Sequence, residues 1–267
     1  MKSFSDILLE QVQKIGSRLC IGLDIDADRI TSIVSPSLQD LKNFTRMVID
    51  ATLDFAVTYK LNFAFFERYG SAGFLWLEEV RDYIDDRRLT IADAKRGDIS
   101  NSAKHYASAL FDHFGFDAAT VNPYMGCDAI SPFLDNPEKG AFVICLTSNE
   151  GASDLQFQQV NGVRLYEKVI DLVKQLNVNN NCGLVVGATR EEELEGIRQA
   201  SGDMPFLIPG VGAQGGDLET SVRIGNQGGI ALINVSRGIL YAGDQSEQAI
   251  REAAQDFFLR INAALEV

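Results

Sequence analysis

Two carboxylates and an ammonium fall within one short run of this chain, Asp93-Ala94-Lys95-Arg96-Gly97-Asp98-Ile99, directly after the apolar stretch Leu89-Thr90-Ile91-Ala92. The apolar stretch predicts a strand, and side chains two apart on a strand share a face, so Asp93 and Lys95 point the same way. A buried sheet has no use for unpaired charge there. A charge cluster at the C-terminal end of a strand therefore points to chemistry. Lys60, at the end of an earlier β-prone run, joins Asp93, Lys95 and Asp98 as the candidate set. The plain alternative is an ion-pair network that staples strand ends together. Against it, alternating charges in a partly desolvated cavity are expensive, and apolar packing could replace them at little loss. Cost without structural need suggests function.

The elements that must position these groups follow from periodicity. Eight β-rich runs recur, at 19–24, 56–62, 89–95, 118–123, 141–147, 183–188, 205–210 and 230–236. Segments with apolar residues at helical spacing lie between them, among them 38–53, 74–84, 100–114, 163–176 and 190–200. Thr189 with Glu192 three residues later has the pattern of a capping box. A first helix over 4–15 precedes the first strand, and a last over 245–265 closes the chain. Eight strand–helix units in 267 residues are the count and size of a (β/α)₈ barrel, an α/β fold. No linker or low-complexity tract divides the chain, so a single domain over 1–267 is expected. A barrel of this kind carries function at the C-terminal strand ends, and unusual polar residues fall there. Asp24 ends strand one, Lys60 strand two, Asp93 and Lys95 strand three, Thr147 and Ser148 strand five, and Arg237 strand eight.

The run Gly210-Val211-Gly212-Ala213-Gln214-Gly215 matches the G-x-G-x-x-G dinucleotide fingerprint. That fingerprint belongs after the first strand of a βαβ unit, with an acid ending the next strand. Here it follows strand seven, and the next strand ends Ile233-Asn234-Val235-Ser236 without one. A flexible glycine loop that closes on a ligand is the better reading. The loops after strands seven and eight of such barrels form the usual phosphate site. Arg237 then supplies a charged fork, with backbone N–H groups around Ser236 and Gly238 beside it.

Bulk properties narrow the partners. A formal charge of −13 argues against nucleic acid or anionic lipid. It also means that any site for a phosphate must be built locally. No apolar stretch approaches membrane-spanning length, and the N-terminus has no signal-peptide core, so a cytoplasmic protein is expected. The cysteines, Cys20, Cys127, Cys145 and Cys182, form no C-x-x-C pair and read as buried reduced thiols. With only His105 and His113, a histidine-rich metal site is excluded, and so is a histidine-centred triad unless one of these two serves.

The run Asp93-x-Lys95-x-x-Asp98-Ile99 resembles the signature of the orotidine 5′-phosphate decarboxylase family. So do Gly22-Leu23-Asp24, Lys60, Thr147-Ser148-x-x-Gly151, 209–216 and Ser236-Arg237-Gly238-Ile239, in family order along nearly the whole chain. Phe65-Phe66-Glu67, Val121-Asn122-Pro123-Tyr124 and Pro132-Phe133 look like the longer bacterial branch. Ser102 stands where the family usually has threonine. The resemblance implies cofactor-independent decarboxylation of orotidine 5′-monophosphate to uridine 5′-monophosphate, in de novo pyrimidine biosynthesis. It implies that Asp24 and Lys60 hold ribose hydroxyls, that Asp93 faces the substrate carboxylate, and that Lys95 is the proton donor. Ser148 would read the pyrimidine amide edge. Gln214 would bridge phosphate and base from the closing loop that contains Gly212, while Arg237 grips the phosphate. Asp98 would come from the other subunit of a homodimer, with Ser102 nearby. No metal is implied. Relatives resembling keto-gulonate phosphate decarboxylase and hexulose phosphate synthase share the Asp-x-Lys-x-x-Asp run but look metal-dependent, with an acid where this chain has Lys60. A catalytically idle nucleotide-binding barrel is the rival from another class, and idle relatives tend to lose one of the paired charges kept here. Asn62, Glu67 and Asn122 lie near strand ends without an assigned role, and Tyr124 reads as packing.

Overall fold

The computed structural model describes residues 2–188, 191–211 and 217–266. Among them, eight parallel strands close into a barrel: β1 (Leu19–Gly22), β2 (Thr58–Asn62), β3 (Leu89–Arg96), β4 (Ala118–Val121), β5 (Gly140–Leu146), β6 (Cys182–Val186), β7 (Phe206–Pro209) and β8 (Ala231–Val235). Each strand pairs with its neighbours in sequence, and β8 closes on β1 through Leu19↔Ile233, Cys20↔Asn234 and Ile21↔Val235. The helices α1 (Phe4–Ile15), α2 (Leu38–Thr52), α3 (Gly70–Ile84), α4 (Ser100–Ser108), α5 (Leu165–Leu176), α6 (Glu191–Ser201), α7 (Leu218–Gly225) and α8 (Glu247–Leu265) accompany the strands. The expected (β/α)₈ architecture is the observed one.

Several borders differ from the sequence reading for local reasons. Helix α4 stops at Ser108 and runs on as a single π-turn, Ala109–His113. Val163–Arg164, expected to open a helix, instead pairs antiparallel with Gln159–Val160 in a small hairpin. Helix α8 begins at Glu247 rather than 245, because Ser246 caps it by accepting from the Ala249 amide. Helix α3 starts earlier than expected, at Gly70, and a short helix, Phe63–Glu67, follows β2 at once. The capping pattern at Thr189 lies outside the described residues.

Strand alternation separates two cores. Leu19, Ile21, Tyr59, Leu61, Ala92, Val121 and Val143 face the surrounding helices. Their neighbours Cys20, Ile91, Ala118, Phe142, Val185, Leu207 and Leu232 face the barrel axis and pack together. Following the axial parity towards the C-terminal ends, the side chains turn polar: Asp24 above Cys20, Lys60 above Thr58, Asp93 above Ile91, Thr120 above Ala118 and Asn234 above Leu232. The sequence thus builds an apolar floor and a polar mouth by a change of residue type every second position.

Helix α1 seals the floor from the opposite end. Ser3 and Asp6 form its capping box and Gly16 ends it in the left-handed region, φ 66°. Phe4, Leu8 and Val12 join the axial core, with the Phe4 ring edge-to-face on Phe142 at 6.0 Å. Glycine is required at position 140, because a Cβ there would stand 2.3 Å from the Phe4 ring. We expect Phe4→Ala to destabilise the fold by about 3–4 kcal/mol. Chemical denaturation measures this, and kcat should stay within about twofold of wild type because the site lies at the other end of the barrel.

Candidate functional site

A cavity of about 620 Å³ opens at the C-terminal mouth of the barrel. Asp24, Lys60, Asp93, Lys95, Ser148, Ser236 and Arg237 all line it. At its centre three charges stand in a row. Lys60 Nζ lies 2.8 Å from Asp93 Oδ2, and Lys95 Nζ lies 2.6 Å from Asp93 Oδ1. Asp24 Oδ1 follows at 3.7 Å from Lys60 Nζ and has no hydrogen-bond partner of its own, although it is buried. It is a buried acceptor without a hydrogen bond, in the wall of the cavity.

Lys60 is 4% exposed and Asp93 8%, so each would be expensive alone. Burial pushes the Asp93 carboxyl up, but Lys60 and Lys95, through charge and hydrogen bonds, override it and hold the group well below the usual carboxylate range. Burial likewise depresses the Lys60 ammonium, and Asp24 and Asp93 outweigh that and raise it above the ordinary lysine value. Each partner keeps the other ionised.

Backbone geometry delivers Lys95 to this row. The β3–β4 register slips between Ala92 and Arg96, and Lys95 takes a left-handed φ of 47° within that bulge. The Lys95 amide donates to Thr120 Oγ1 at 2.9 Å, and the Thr120 hydroxyl donates to Asp93 Oδ1 at 3.1 Å. A hydroxyl on β4 therefore fixes both the bulge and the carboxylate. The Lys95 side chain remains about half exposed, at the cavity mouth.

Two glycines let the strand ends close in. A Cβ at Gly22 would lie 2.0 Å from Ser236 Oγ, and one at Gly187 would lie 2.7 Å from the Ser148 amide nitrogen. The turn carrying Ser148 is further held by Gln156, whose Oε1 accepts from the Thr147 amide and whose Nε2 donates to Thr147 Oγ1. Arg237 opens a one-turn helix, Arg237–Leu240, directly after β8, and Gly238 stands behind it against the Phe257 ring.

Not every expected residue joins. Asp98 and Ser102 do not line the cavity; Asp98 Oδ1 accepts from the Ile99 amide, and Ser102 sits in the first turn of α4. Gly212 and Gln214 lie outside the described residues. Asn62 lines the cavity and caps the short helix after β2 by accepting from the Ala64 amide. Glu67 pairs with Arg96 at 2.7 Å, outside the cavity. Asn122 accepts from the Tyr124 amide. Tyr124, read from sequence as packing, is corrected by the structure: it is 78% exposed, because the turn at Pro123 carries it away from the core. Sequence reasoning missed Thr120, Asn234, Arg29 and Tyr241, all of which line the cavity. Thr120 and Asn234 had a signal, a polar residue on the axial parity of an otherwise apolar strand.

This geometry can be set beside known proteins. Residues 17–253 match the model of the family described as orotidine 5′-phosphate decarboxylase / HUMPS. The chain belongs to that family. It is 43% identical to the orotidine 5′-phosphate decarboxylase of Dehalococcoides mccartyi strain CBDB1, over 95% of this chain and 97% of the relative. It is 44% identical to the enzyme of the same name from Natronomonas pharaonis, over 97% of this chain and 98% of the relative. Among solved structures, that of Leishmania donovani OMP decarboxylase superposes with a TM-score of 0.87 at 38% identity and covers 99% of both chains. A putative orotidine-monophosphate-decarboxylase from Toxoplasma gondii superposes with a TM-score of 0.90 at 35% identity, over 99% of this chain and 98% of that one. In this family member, no helix among the described residues is long and apolar enough to cross a membrane.

The charge row makes a pH prediction. The depressed Asp93 contributes stability that is complete above the unfolded carboxylate value of about 4 and is lost as pH falls. The raised Lys60 contributes stability complete below about 10.4 and lost as pH rises. Asp93→Asn should therefore cost about 3 kcal/mol by denaturant unfolding, flat from about pH 5 to 9 and shrinking below about pH 4. A deficit that grows on acidification would contradict the assigned direction.

Proposed function

We propose that the protein converts orotidine 5′-monophosphate to uridine 5′-monophosphate without a cofactor, with Lys95 delivering the proton to carbon six of the pyrimidine. The coarser statement, a carboxy-lyase of pyrimidine biosynthesis, follows from family membership and from the named relatives. The observation that supports the finer one is the row Lys60–Asp93–Lys95, in which one carboxylate joins two ammonium groups at the cavity.

Direct decarboxylation breaks the bond between carbon six and the carboxylate. Carbon dioxide leaves, and the electron pair stays on a ring carbon with little resonance relief. A cation fixed beside that carbon stabilises the developing charge without reorganisation, an effect that is large where water is excluded. In this reading Lys95 is that cation and then gives up its proton, forming the new C–H bond. Asp93 stands against the departing carboxylate, so charge shifts from beside Asp93 towards Lys95 as the reaction proceeds. Beneath the row, Ile144, Val185 and Leu207 offer carbon dioxide an apolar floor that has nothing for a carboxylate.

The remaining assignments complete the pose. Arg237, with backbone at Ser236 and Gly238, grips the phosphate, and Gln214 and Gly212 belong to the loop that closes over it. Asp24, in the cavity wall beside Lys60, accepts from a ribose hydroxyl. Ser148 reads the pyrimidine amide. Phosphate binding is remote from the breaking bond, so its energy can drive loop closure and assembly of the site. A homodimer with Asp98 and Ser102 reaching the neighbouring site belongs to the same proposal. Asp98 falls outside its own chain's cavity, its neighbour Ile99 is exposed, and Gly97 packs on the backbone of Asn122, which leads into exposed Tyr124 and Met125. We also assign the chain to the cytoplasm as a single barrel domain; its four cysteines are free thiols, as a reducing compartment keeps them, with Cys127 exposed rather than buried as expected.

The metal-dependent sugar-phosphate chemistry within the family fits these residues poorly. Lys60 Nζ stands between Asp24 and Asp93, where it supplies no ligand and repels a divalent cation.

Loss of pyrimidine absorbance on adding orotidine 5′-monophosphate tests the reading. Turnover should survive EDTA. Lys95→Ala should lose at least about 10³-fold in kcat while still binding uridine 5′-monophosphate, whereas Arg237→Ala should lower kcat/KM with orotidine 5′-monophosphate and leave the phosphate-free nucleoside's rate unchanged. Near-normal turnover by Lys95→Ala would refute the mechanism.

A further inference from the structure

The segment that follows the phosphate arginine grips the loop after β1 at several points. Tyr241 Oη donates to the Asp24 carbonyl at 2.8 Å and accepts from the Asp26 amide at 2.8 Å, so one hydroxyl bridges both sides of Ile25. Gln245, 5% exposed, repeats the arrangement further along: its Nε2 donates to the Arg29 carbonyl at 2.8 Å, and its Oε1 accepts from the Thr31 amide at 2.9 Å. Gln245 adopts a left-handed φ of 62°, a conformation a non-glycine residue holds only when its surroundings demand it. Tyr241 itself lines the cavity, four residues beyond Arg237, and its amide donates to the Arg237 carbonyl. Burial pushes the Tyr241 hydroxyl up to about 12, so it keeps the proton it donates at neutral pH.

Neither loop needs these bonds to complete the barrel, because the β1–β8 ladder is made lower down, at Leu19 to Ile21. The Tyr241 bonds act on the backbone of Asp24 and Asp26, and the Asp24 side chain lines the cavity beside Lys60. We propose that Tyr241 is a positioning residue that fixes Asp24 through its backbone and so ties the sugar end of the site to the segment carrying Arg237. Gln245 is the second fastening of the same clamp. The proposal rests on the reading of Asp24 as the ribose-binding residue.

The test is a double-mutant cycle on the full-length protein with orotidine 5′-monophosphate. Tyr241→Phe removes the hydroxyl and keeps the ring beneath Arg29. It should lower kcat/KM about tenfold, mainly through KM, with the melting temperature within about 2 °C of wild type. In an Asp24→Asn background the same change should have less than about a twofold effect, because the group it positions is gone. Hydrogen exchange gives a readout that does not depend on turnover: the Asp26 amide should exchange faster in Tyr241→Phe. Wild-type kcat/KM in Tyr241→Phe, or an undiminished loss in the Asp24→Asn background, overturns the proposal. Asp24→Asn with wild-type kinetics overturns it together with the ribose assignment. Should the wild type not decarboxylate this nucleotide at all, the functional reading falls alone. Exchange at Asp26 then decides the clamp: faster exchange in Tyr241→Phe upholds it, and unchanged protection overturns it.

Discussion

A buried lysine kept charged by two carboxylates is the constraint on which this site depends. Asp24 and Asp93 hold the Lys60 ammonium against its burial, and Lys60 and Lys95 hold the Asp93 carboxylate against its own. The mutual dependence has a structural consequence. The β2–β3 pairing must hold register, with Asn62 opposite Asp93, so that Lys60 reaches the carboxylate from the neighbouring strand. An ion pair taken out of water is weak support for a fold, since attraction only offsets desolvation. Its worth lies in presetting a field. A ligand entering the cavity meets Lys60 and Asp93 already buried and paired, so these two charges need little reorganisation when charge moves.

Alternation along the strands was legible from the amino-acid types, and with it the barrel and most of the cavity wall. Asp24, Lys60, Asp93 and Arg237 stand out because a charge interrupts an apolar run at a strand's end. Asp93 and Lys95 do meet, as spacing by two suggests, but not by simple pleating. The bulge and the left-handed Lys95 bring them together, and no local pattern announces a bulge whose fastening is a hydroxyl 25 residues away on β4. Thr120 and Tyr241 escaped notice for that reason. Threonine and tyrosine are ordinary in strands and loops, and their roles here exist only through partners distant in the chain, 217 residues apart in the case of Tyr241 and Asp24. Tyr124 misled in the opposite direction, because an aromatic beside a strand usually packs, and the proline turn sends this one outward.

The division between floor and mouth separates stability from chemistry within one axial column of side chains. Below, Phe4, Phe142, Val185, Leu207 and Leu232 exclude water and are closed by α1. Above, the same parity presents Asp24, Lys60, Asp93 and Thr120. Because the apolar layer lies directly beneath the charges, the charged groups sit on a low-dielectric base, which strengthens their mutual interaction beyond what a surface cluster of the same residues would have. Burying Cys20 under this layer raises its thiol to about 12, so a nucleophile placed just below the charge row stays protonated.

A chain with a formal charge of −13 must still admit an anion if the proposed substrate is right. Among the described residues lining the cavity, Arg29, Lys60, Lys95 and Arg237 face three carboxylates, Asp24, Asp26 and Asp93. The local balance therefore opposes the global one. At physiological ionic strength, charges farther than about 8 Å through solvent are largely screened, so the distributed acidic surface weakens with distance while the cavity cations act at contact. Their arrangement also sorts the anion. Lys60 is already committed to two carboxylates and Lys95 to one, whereas Arg237 stands at the end of β8, in the first turn of a short helix. On the proposed reading, an entering phosphate pairs with Arg237 at β8, and that choice aims the rest of the molecule across the mouth towards β3, where the charge row lies.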